Sequence, residues 1–433
     1  MRLRVYPRPH VVPDGRPFEV VERKGIGHPD SLADLVAETF SQRYSQWCSR
    51  NVGLVLNHAV DKIMLIGAQT IPGFGKIHVQ TPVKAYLFGK ITRAVGAQQA
   101  PIDSLFEETV HQVLAAATRS EEIVNHISCA VVNSAGTAAD HARAFYAPEN
   151  LADARLALER ERYSNDTVFC VGYCPMSRAE QLAVEVEVWL NSGEFNQTYP
   201  QAGSDIKIMV FRHGTELDVI ACVPCIAERT DSLATYRRVI GEARDLLSAF
   251  VNDSVSHWPE LSGATPRVRI NTKDQGDRIY LAPFGTSLGK GDCGAVGRGN
   301  RFAGVIAACR PSSIKAAAGK NPLSHAGKLY HTAADRIARR LFRELGVANE
   351  VTIVARNGGD LPQPESVSVD GSFGVVNNQT ERRVELIVRD ELSAIGDYVH
   401  MFTNGATPLE HFHRAPLKLL RDREIEEALH VRP

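Results

Sequence analysis

A glycine-containing turn near the start of the chain carries residues suited to binding phosphate and a metal ion. Residues 24–34 read KGIGHPDSLAD. Free N–H groups and the dipole at the N-terminus of the helix that follows favour a phosphate, and glycines let the backbone approach a ligand. His28 would point outward there, and Asp30, four residues before Asp34, offers the hard oxygen that Mg²⁺ prefers. The alternative is a capped helix start with a surface histidine.

A second cluster lies in the glycine-rich segment 289–301, GKGDCGAVGRGNR, which has five glycines in thirteen residues. Lys290, Arg298 and Arg301 accompany the glycines. Such a loop lets backbone and guanidinium groups surround an anion.

A third cluster lies in residues 315–328, KAAAGKNPLSHAGK, where Lys320 and Lys328 flank a turn before a helix. The glycine spacing excludes a Walker A motif. A solvated basic loop is the alternative. The three clusters together suit a polyphosphate with Mg²⁺, because one charge pair at 4 Å contributes only about 4 kcal/mol at an effective dielectric of 20 and several cations are needed.

The elements that position these residues alternate between strands and helices. Residues 18–22 alternate like a strand, and apolar residues from Leu32 to Tyr44 recur at helical spacing, so His28 and Asp30 lie at a helix N-terminus. We predict further helices at 102–117, 178–190, 233–251 and 326–345. We predict strands at 52–66, 127–132, 168–173, 206–211, 217–225, 267–271, 350–355 and 383–388. The expected fold class is α/β, of the α+β type.

Length and composition indicate a folded protein of about three domains. The chain has 433 residues, of which 44% are hydrophobic and 23% charged. We predict a loose N-terminal arm (1–17) and α/β domains at 18–126, 127–262 and 263–433, with exchange of segments allowed and a C-terminal amphipathic helix at 418–430. The 49 Lys and Arg against 50 Asp and Glu exclude a general attraction to nucleic acid or an anionic membrane.

Other function classes find little support. Apolar runs are too short to cross a bilayer and the start lacks a signal-peptide core, so we expect a cytoplasmic protein. Eight scattered cysteines indicate reduced thiols, and the lone CxxC at Cys222 and Cys225 fits a buried strand better than a zinc site. A Rossmann dehydrogenase would need a third glycine after Gly25 and Gly27.

Four strings of the sequence resemble the S-adenosylmethionine synthetase (methionine adenosyltransferase) family, in its archaeal-type branch. They lie at 21–31, 165–173, 291–301 and 319–328, in the family's order, and the resemblance covers roughly residues 18–390. It implies attack of the methionine sulfur on C5′ of ATP with loss of triphosphate, which is then hydrolysed to phosphate and pyrophosphate.

The resemblance also implies residue roles. His28 would contact the leaving triphosphate oxygen, Asp30 would bind Mg²⁺, and Arg298, Lys320 and Lys328 would bind the phosphates. A K⁺ requirement is left open. Further substrate-binding positions are expected at Asp61, Asp166, Asp292, Arg301 and Asn321, with Asp166 and Asp292 near the nucleoside and amino-acid end.

The resemblance implies an assembly as well. It predicts three similar α/β domains around a pseudo-threefold axis, with sheets packed at a dimer interface. The protein would be a homodimer or higher homo-oligomer whose active sites draw on both chains.

Departures from the family pattern cluster on the side of the nucleophile. Residues 58–62 read HAVDK where the archaeal branch typically has HNTDQ, and residues 132–137 read VNSAGT, without the glutamine that helps to hold methionine in the family. Asp61 is retained. Two alternatives to ordinary S-adenosylmethionine synthesis therefore stay open: a paralogue that uses another nucleophile or cleaves triphosphate, and a silent regulatory homologue.

Overall fold

The computed structural model describes residues 1–9, 11–135, 145–160 and 163–406. In chain order the helices are α1 (Pro29–Asn51), α2 (Ile102–Thr118), α3 (Leu151–Arg160), α4 (Arg178–Leu190), α5 (Gly193–Thr198), α6 (Leu233–Ser256), α7 (Ala326–Leu345), α8 (Asn378–Ser393) and α9 (Tyr398–Asn404). The strands are β1 (Arg2–Pro7), β2 (Phe18–Lys24), β3 (His58–Ile66), β4 (Gln69–Gly73), β5 (Lys76–Thr81), β6 (Val83–Ile91), β7 (Ala94–Val95), β8 (Gln98–Gln99), β9 (Ile127–Asn133), β10 (Val168–Cys174), β11 (Lys207–His213), β12 (Glu216–Cys222), β13 (Cys225–Ile226), β14 (Thr265–Ile270), β15 (Leu281–Ala282), β16 (Cys293–Ala295), β17 (Ile306–Ala307), β18 (Asn349–Ala355) and β19 (Ser366–Gly371).

The first sheet has the strand order β16-β3-β6-β9 and packs on α1 and α2. Its buried side chains, such as Ile63 and Leu65 of β3, meet Phe40, Tyr44 and other residues of the two helices. Among the described residues, helices cover one face of this sheet, which explains why more buried and more exposed side chains alternate along β3 and why partly buried and exposed ones alternate along β9.

The second and third sheets repeat this arrangement. The second has the order β14-β12-β11-β2-β17 and packs on α4 and α6, and the third has the order β1-β19-β18-β10 and packs on α7 and α8. A capping box at Ser177 and Glu180 starts α4, since each side chain accepts the backbone N–H of the other residue. Each sheet closes its own buried hydrophobic core.

The sheets take strands from distant parts of the chain. Strand β2 precedes α1 but pairs with β11 of the second sheet, and β9 and β16 both join the first sheet. These memberships do not follow the linear division into domains, and the domain boundaries stay a prediction.

Most predicted elements are confirmed, and two are wrong. Residues 383–388 belong to α8, where Val384, Ile387, Val388 and Leu392 are buried at helical spacing behind an Asn377 cap. The start of the predicted loose arm is β1, which pairs in parallel with β19. Local sequence could not show that pairing, because the partner strand lies more than 350 residues away.

Several other expectations can be placed. All eight cysteines are free thiols. Within the described ranges, no helix combines the length and the apolar character needed to cross a membrane. The predicted C-terminal helix at 418–430 and residues 136–137 of the second departure lie outside the described residues.

Candidate active site

His28 is the N-cap residue of α1, and its Nδ1 accepts the backbone N–H of Asp30 at 3.2 Å. The turn before it fits tightly on the 204–206 segment. A Cβ added to Gly25 would lie 2.5 Å from the Ile206 carbonyl oxygen, and one added to Gly27 would lie 2.1 Å from Ser204 Oγ. These two glycines therefore serve close packing within the chain, whereas the sequence predicts that they let the backbone approach a ligand.

Burial lowers the pKa of His28, although the charges of Asp205 and Asp30 oppose this shift. Asp205 is itself buried and accepts the Ser287 N–H at 2.8 Å and the Tyr280 hydroxyl at 3.1 Å. The imidazole is therefore neutral near pH 7. Since Nδ1 accepts a hydrogen bond, the proton resides on Nε2.

Asp30 joins the first cluster to the glycine-rich loop. Its Oδ2 lies 2.9 Å from Lys24 Nζ, and its Oδ1 accepts the Ala295 N–H at 3.0 Å. Lys24 Nζ also donates to the Arg298 carbonyl at 2.6 Å. Two clusters that are more than 250 residues apart in sequence thus share one hydrogen-bonded unit.

The glycine-rich loop lies directly on the first turns of α1. A Cβ added to Gly294 would lie 1.9 Å from the Pro29 carbonyl oxygen, so no larger residue fits there. Asp34 Oδ1 accepts the Gly297 N–H at 2.8 Å, and Arg301 Nη1 donates to the Gly297 carbonyl at 3.0 Å. The side chains of Arg298 and Asp292 are exposed.

Lys320 and Asp61 form the centre of the third cluster. Lys320 is buried, and its Nζ lies 3.7 Å from Asp61 Oδ2, while Lys62 Nζ lies 3.1 Å from Asp61 Oδ1. Burial would raise the pKa of Asp61, but the two ammonium groups hold it below its ordinary value. Burial lowers the pKa of Lys320.

Asp166 and Asn321 lie in the same cluster with different surroundings. Asp166 Oδ2 is 2.7 Å from Lys315 Nζ. Asn321 is buried; its Nδ2 donates to Asn57 Oδ1 at 2.9 Å and its Oδ1 accepts the Leu323 N–H at 2.8 Å. Asn321 therefore shapes the turn, whereas Asp166 and Lys315 are partly exposed as a pair.

Lys328 is buried in the first turn of α7, and its charge is balanced within the chain. Its Nζ lies 2.7 and 2.8 Å from the two carboxylate oxygens of Glu38 in α1, and 4.7 Å from the centre of the Phe402 ring. Burial lowers the pKa of Lys328, and Glu38 opposes that shift.

The second and third clusters also meet. A Cβ added to Gly297 would lie 3.2 Å from Ala316 Cβ, and the ring of Phe302 stacks on His331 with centroids 5.5 Å apart. A Cβ added to Gly327 would lie 3.3 Å from Lys320 Nζ. The three clusters are therefore contiguous around the N-terminal half of α1.

The family model for S-adenosylmethionine synthetase (AdoMet synthetase) matches residues 4–406. The chain belongs to the S-adenosylmethionine synthetase family. Among curated proteins, S-adenosylmethionine synthases of Saccharolobus solfataricus and Sulfolobus acidocaldarius are each 31% identical to it. These matches cover 90% and 92% of this chain and 95% and 96% of the relatives. The resemblance drawn from the four strings is confirmed.

A solved structure shares the fold of this S-adenosylmethionine synthetase family member. The structure of an unusual S-adenosylmethionine synthetase from Campylobacter jejuni matches with a TM-score of 0.54 at 15% identity, over 92% of this chain and 99% of that chain. The mixed α/β class predicted from the sequence is confirmed.

Asp30 is the residue of this synthetase family member best suited to Mg²⁺. Within the described ranges no three His, Cys, Asp or Glu side chains are grouped to hold a metal on their own. Mg²⁺ commonly binds through one or two carboxylates together with substrate phosphates. Asp30 fits that pattern, because it is a hard oxygen donor beside the glycine-rich loop that is predicted to bind phosphate.

Sequence reasoning missed several residues that structure this site. Five further side chains contact the predicted residues or their loops, or act on them electrostatically: Lys24, Asp34, Glu38, Asp205 and Lys315. A signal existed for two of them, since Asp34 and Glu38 follow Asp30 at four-residue intervals on a predicted helix. Nothing in the local sequence marks Asp205, which reaches His28 only through tertiary packing.

Proposed function

We propose that this chain forms S-adenosylmethionine from ATP and methionine. The observation that carries the proposal is the convergence of His28, Asp30 and Lys24 with the Arg298 loop at the N-terminus of α1, in a chain of this family. A helix dipole and cations meet there, as a triphosphate requires.

The reaction is a displacement at carbon. The methionine sulfur forms a bond to C5′ of ATP, the C5′–O bond breaks, and triphosphate leaves with the bonding electrons. A thioether is nucleophilic without a base, so the protein must align the reactants and stabilise the leaving group. His28 suits the second task, because a neutral ring with its proton on Nε2 can donate to the departing oxygen.

The triphosphate charge is balanced by Arg298, Arg301 and Lys320 in this proposal. Mg²⁺ held by Asp30 and phosphate oxygens would neutralise part of that charge when bound. Lys328, which the sequence predicts to bind phosphate, binds Glu38 in this proposal, because Glu38 balances its charge. Glu38 also accepts the Gly319 N–H at 2.9 Å. Hydrolysis of the triphosphate to phosphate and pyrophosphate belongs to the same proposal.

The proposed assembly is a homodimer, with the domains arranged around a pseudo-threefold axis. Three sheets that each bear two helices on one face support that arrangement. The uncovered face of the first sheet exposes Met64, Phe88 and Val132 at 44%, 43% and 50%, and Lys62 lies beside Phe88 on it. A dimer through this face would bring its partner close to Asp61 and Lys62. Use of K⁺ and a cytoplasmic location stay predictions.

The test is incubation of the purified protein with ATP, Mg²⁺ and K⁺, with and without methionine. Mass spectrometry follows the nucleoside products, and phosphate and pyrophosphate are measured alongside. We expect methionine-dependent S-adenosylmethionine with equal amounts of phosphate and pyrophosphate. Release of phosphate products without a sulfonium compound would contradict the proposal.

A second candidate is transfer of adenosyl to a different, anionic acceptor. Its support is that two carboxylates predicted to bind substrate already have lysine partners, Asp61 of the altered 58–62 segment with Lys62, and Asp166 with Lys315. An added carboxylate on the acceptor would match these ammonium groups. In the same assay, a thioether amino acid with a second carboxylate would then outcompete methionine.

A further inference from the structure

Three carboxylates on one face of α1 hold the two ligand-binding loops by their backbones. Asp30, Asp34 and Glu38 follow one another at four-residue spacing, so their side chains lie in one row along the helix. Each accepts a backbone N–H from a loop: Ala295 N–H to Asp30 at 3.0 Å, Gly297 N–H to Asp34 at 2.8 Å, and Gly319 N–H to Glu38 at 2.9 Å.

We propose that Asp34 and Glu38 are positioning residues for the phosphate-binding cations. Asp34 fixes the backbone that carries Arg298, and Glu38 fixes the backbone that carries Lys320. The inference rests on the proposed function, which assigns Arg298 and Lys320 to the triphosphate.

Asp34 restrains the loop at the two residues on either side of Arg298. Its Oδ1 accepts the Gly297 N–H, and a Cβ added to Gly299 would lie 2.3 Å from its Oδ2. Arg301 and Lys24 bind the carbonyls of Gly297 and Arg298 on the same stretch. The backbone at Arg298 is therefore held on both sides, which leaves the exposed guanidinium free to meet a ligand.

Glu38 restrains the backbone immediately before Lys320 in the same way. Its Oε2 accepts the N–H of Gly319, whose φ is +71° and whose added Cβ would lie 2.5 Å from the Val60 carbonyl oxygen. Only glycine fits this position, so the loop is held between α1 and β3 immediately before Lys320. Lys328 fixes the Glu38 carboxylate from the other side.

Both carboxylates act through other residues. Asp34 Oδ1 and both oxygens of Glu38 accept protein donors. A cation that is fixed in advance stabilises a leaving anion without the cost of reorganisation. Loss of Asp34 or Glu38 would release a loop, and the affinity for phosphate would fall through the misplaced cation.

The experiment measures binding of inorganic tripolyphosphate with Mg²⁺ by calorimetry on the full chain. We expect Asp34→Ala and Arg298→Gln each to weaken binding by about tenfold, as loss of one charge-assisted hydrogen bond does. The double variant should bind no more weakly than Arg298→Gln alone, and Asp34→Asn, which keeps the acceptor oxygen, should restore most of the affinity. If the alanine variant does not fold, Asp34→Glu replaces it, since it moves the carboxylate by one methylene.

The matching cycle pairs Glu38→Ala with Lys320→Gln in a Lys328→Met background, which removes the cation that would otherwise be buried without a partner. The crossed pair, Asp34→Ala with Lys320→Gln, should show additive losses. Glu391→Gln is the control, because it removes another buried carboxylate, bound to Arg336 and Arg340 and to neither loop, and should leave tripolyphosphate binding unchanged.

Three results would overturn the inference. Additive losses for Asp34 with Arg298 and for Glu38 with Lys320, or equal weakening by Glu391→Gln, would show that the carboxylates only stabilise the fold. Unchanged binding in both Arg298→Gln and Lys320→Gln would instead overturn the phosphate assignment of the proposed function, and the inference with it.

Discussion

His28 holds the first turn of α1 with one ring nitrogen and leaves the other for chemistry. Nδ1 accepts the Asp30 N–H at 3.2 Å, and burial lowers the pKa of the ring. The capping role of His28 and its role toward the leaving group can be separated, because asparagine also caps helices well but has no imidazole ring.

We predict that His28→Ala and His28→Asn both reduce adenosyl transfer by about 100-fold or more, as loss of one donor to a developing anion does. His28→Asn should keep the melting temperature near that of the parent, whereas His28→Ala should lose about 1 kcal/mol with the cap. Product formation and thermal unfolding are measured on the same samples. Full activity in a folded His28→Asn variant would remove His28 from the leaving-group role.

Glu19 is a buried carboxyl outside the candidate site whose protonation affects stability. Burial raises its pKa to about 7; the nearby Glu180 and Asp14 add to the shift, and the Ser177 hydroxyl and Arg212, 3.5 Å away, oppose it. Between about pH 4.5 and 7 the folded chain keeps a proton that the unfolded chain has released. The contribution of Glu19 to the free energy of unfolding therefore falls as the pH rises through this range, by at most about 1.4 kcal/mol per pH unit.

We predict that Glu19→Gln flattens this dependence, because the amide cannot titrate. Urea unfolding at pH 5, 6 and 7, followed by circular dichroism, gives the slope for parent and variant. The parent should lose more stability than the variant from pH 5 to 7. Equal slopes would show that Glu19 does not carry this proton.

At the scale of elements, α1 is the helix on which both ligand loops converge. The glycine-rich loop has little regular structure, only the end of a short 3₁₀-helix (Ser287–Lys290) and the short β16, so its shape depends on contact with α1. Gly294 is the tightest of these contacts, with no room for a methyl group beside the Pro29 carbonyl.

We predict that Gly294→Ala displaces the loop and abolishes measurable binding of tripolyphosphate. Gly241→Ala is the matched control, because Gly241 lies inside α6 with open space around its Cα and alanine favours helices by up to about 1 kcal/mol. The control should bind normally and unfold at an equal or higher temperature. Normal binding in Gly294→Ala would contradict the packing that places the loop.

At the scale of the whole molecule, the first of the three sheets has an exposed apolar face. The open face of the first sheet carries Met64, Phe88 and Val132, and Tyr86 stacks on Phe88 with ring centroids 5.9 Å apart. A contiguous exposed apolar patch of this kind is typical of a protein interface.

We predict that Phe88→Glu combined with Val132→Glu converts a dimer into a monomer and lowers adenosyl transfer. Light scattering after gel filtration gives the mass, and activity is measured over a range of protein concentrations. Leu386→Glu is the control, since Leu386 is 63% exposed on α8, on another part of the surface. A dimer that survives the paired substitution would place the interface elsewhere.

The sequence by itself determined the family and the helices that carry the site. The strings at 21–31, 291–301 and 319–328 hold the residues proposed to meet phosphate, and their glycines, histidine and cations follow from local chemistry. Helices α4 and α7 were predictable from periodicity and end signals, because amphipathic spacing and capping are encoded within a few residues.

Only the tertiary structure decided which of these cationic side chains are balanced by a close carboxylate of the chain and which are more loosely paired. Lys328 and Lys320 look alike in sequence, yet Lys328 is bound by both oxygens of Glu38 while Lys320 shares a looser contact with Asp61. The pairing of β1 with β19, and the contact of Asp34 with Gly297, join residues hundreds of positions apart. Such contacts depend on how the sheets and helices pack, and no local pattern of residues specifies that packing.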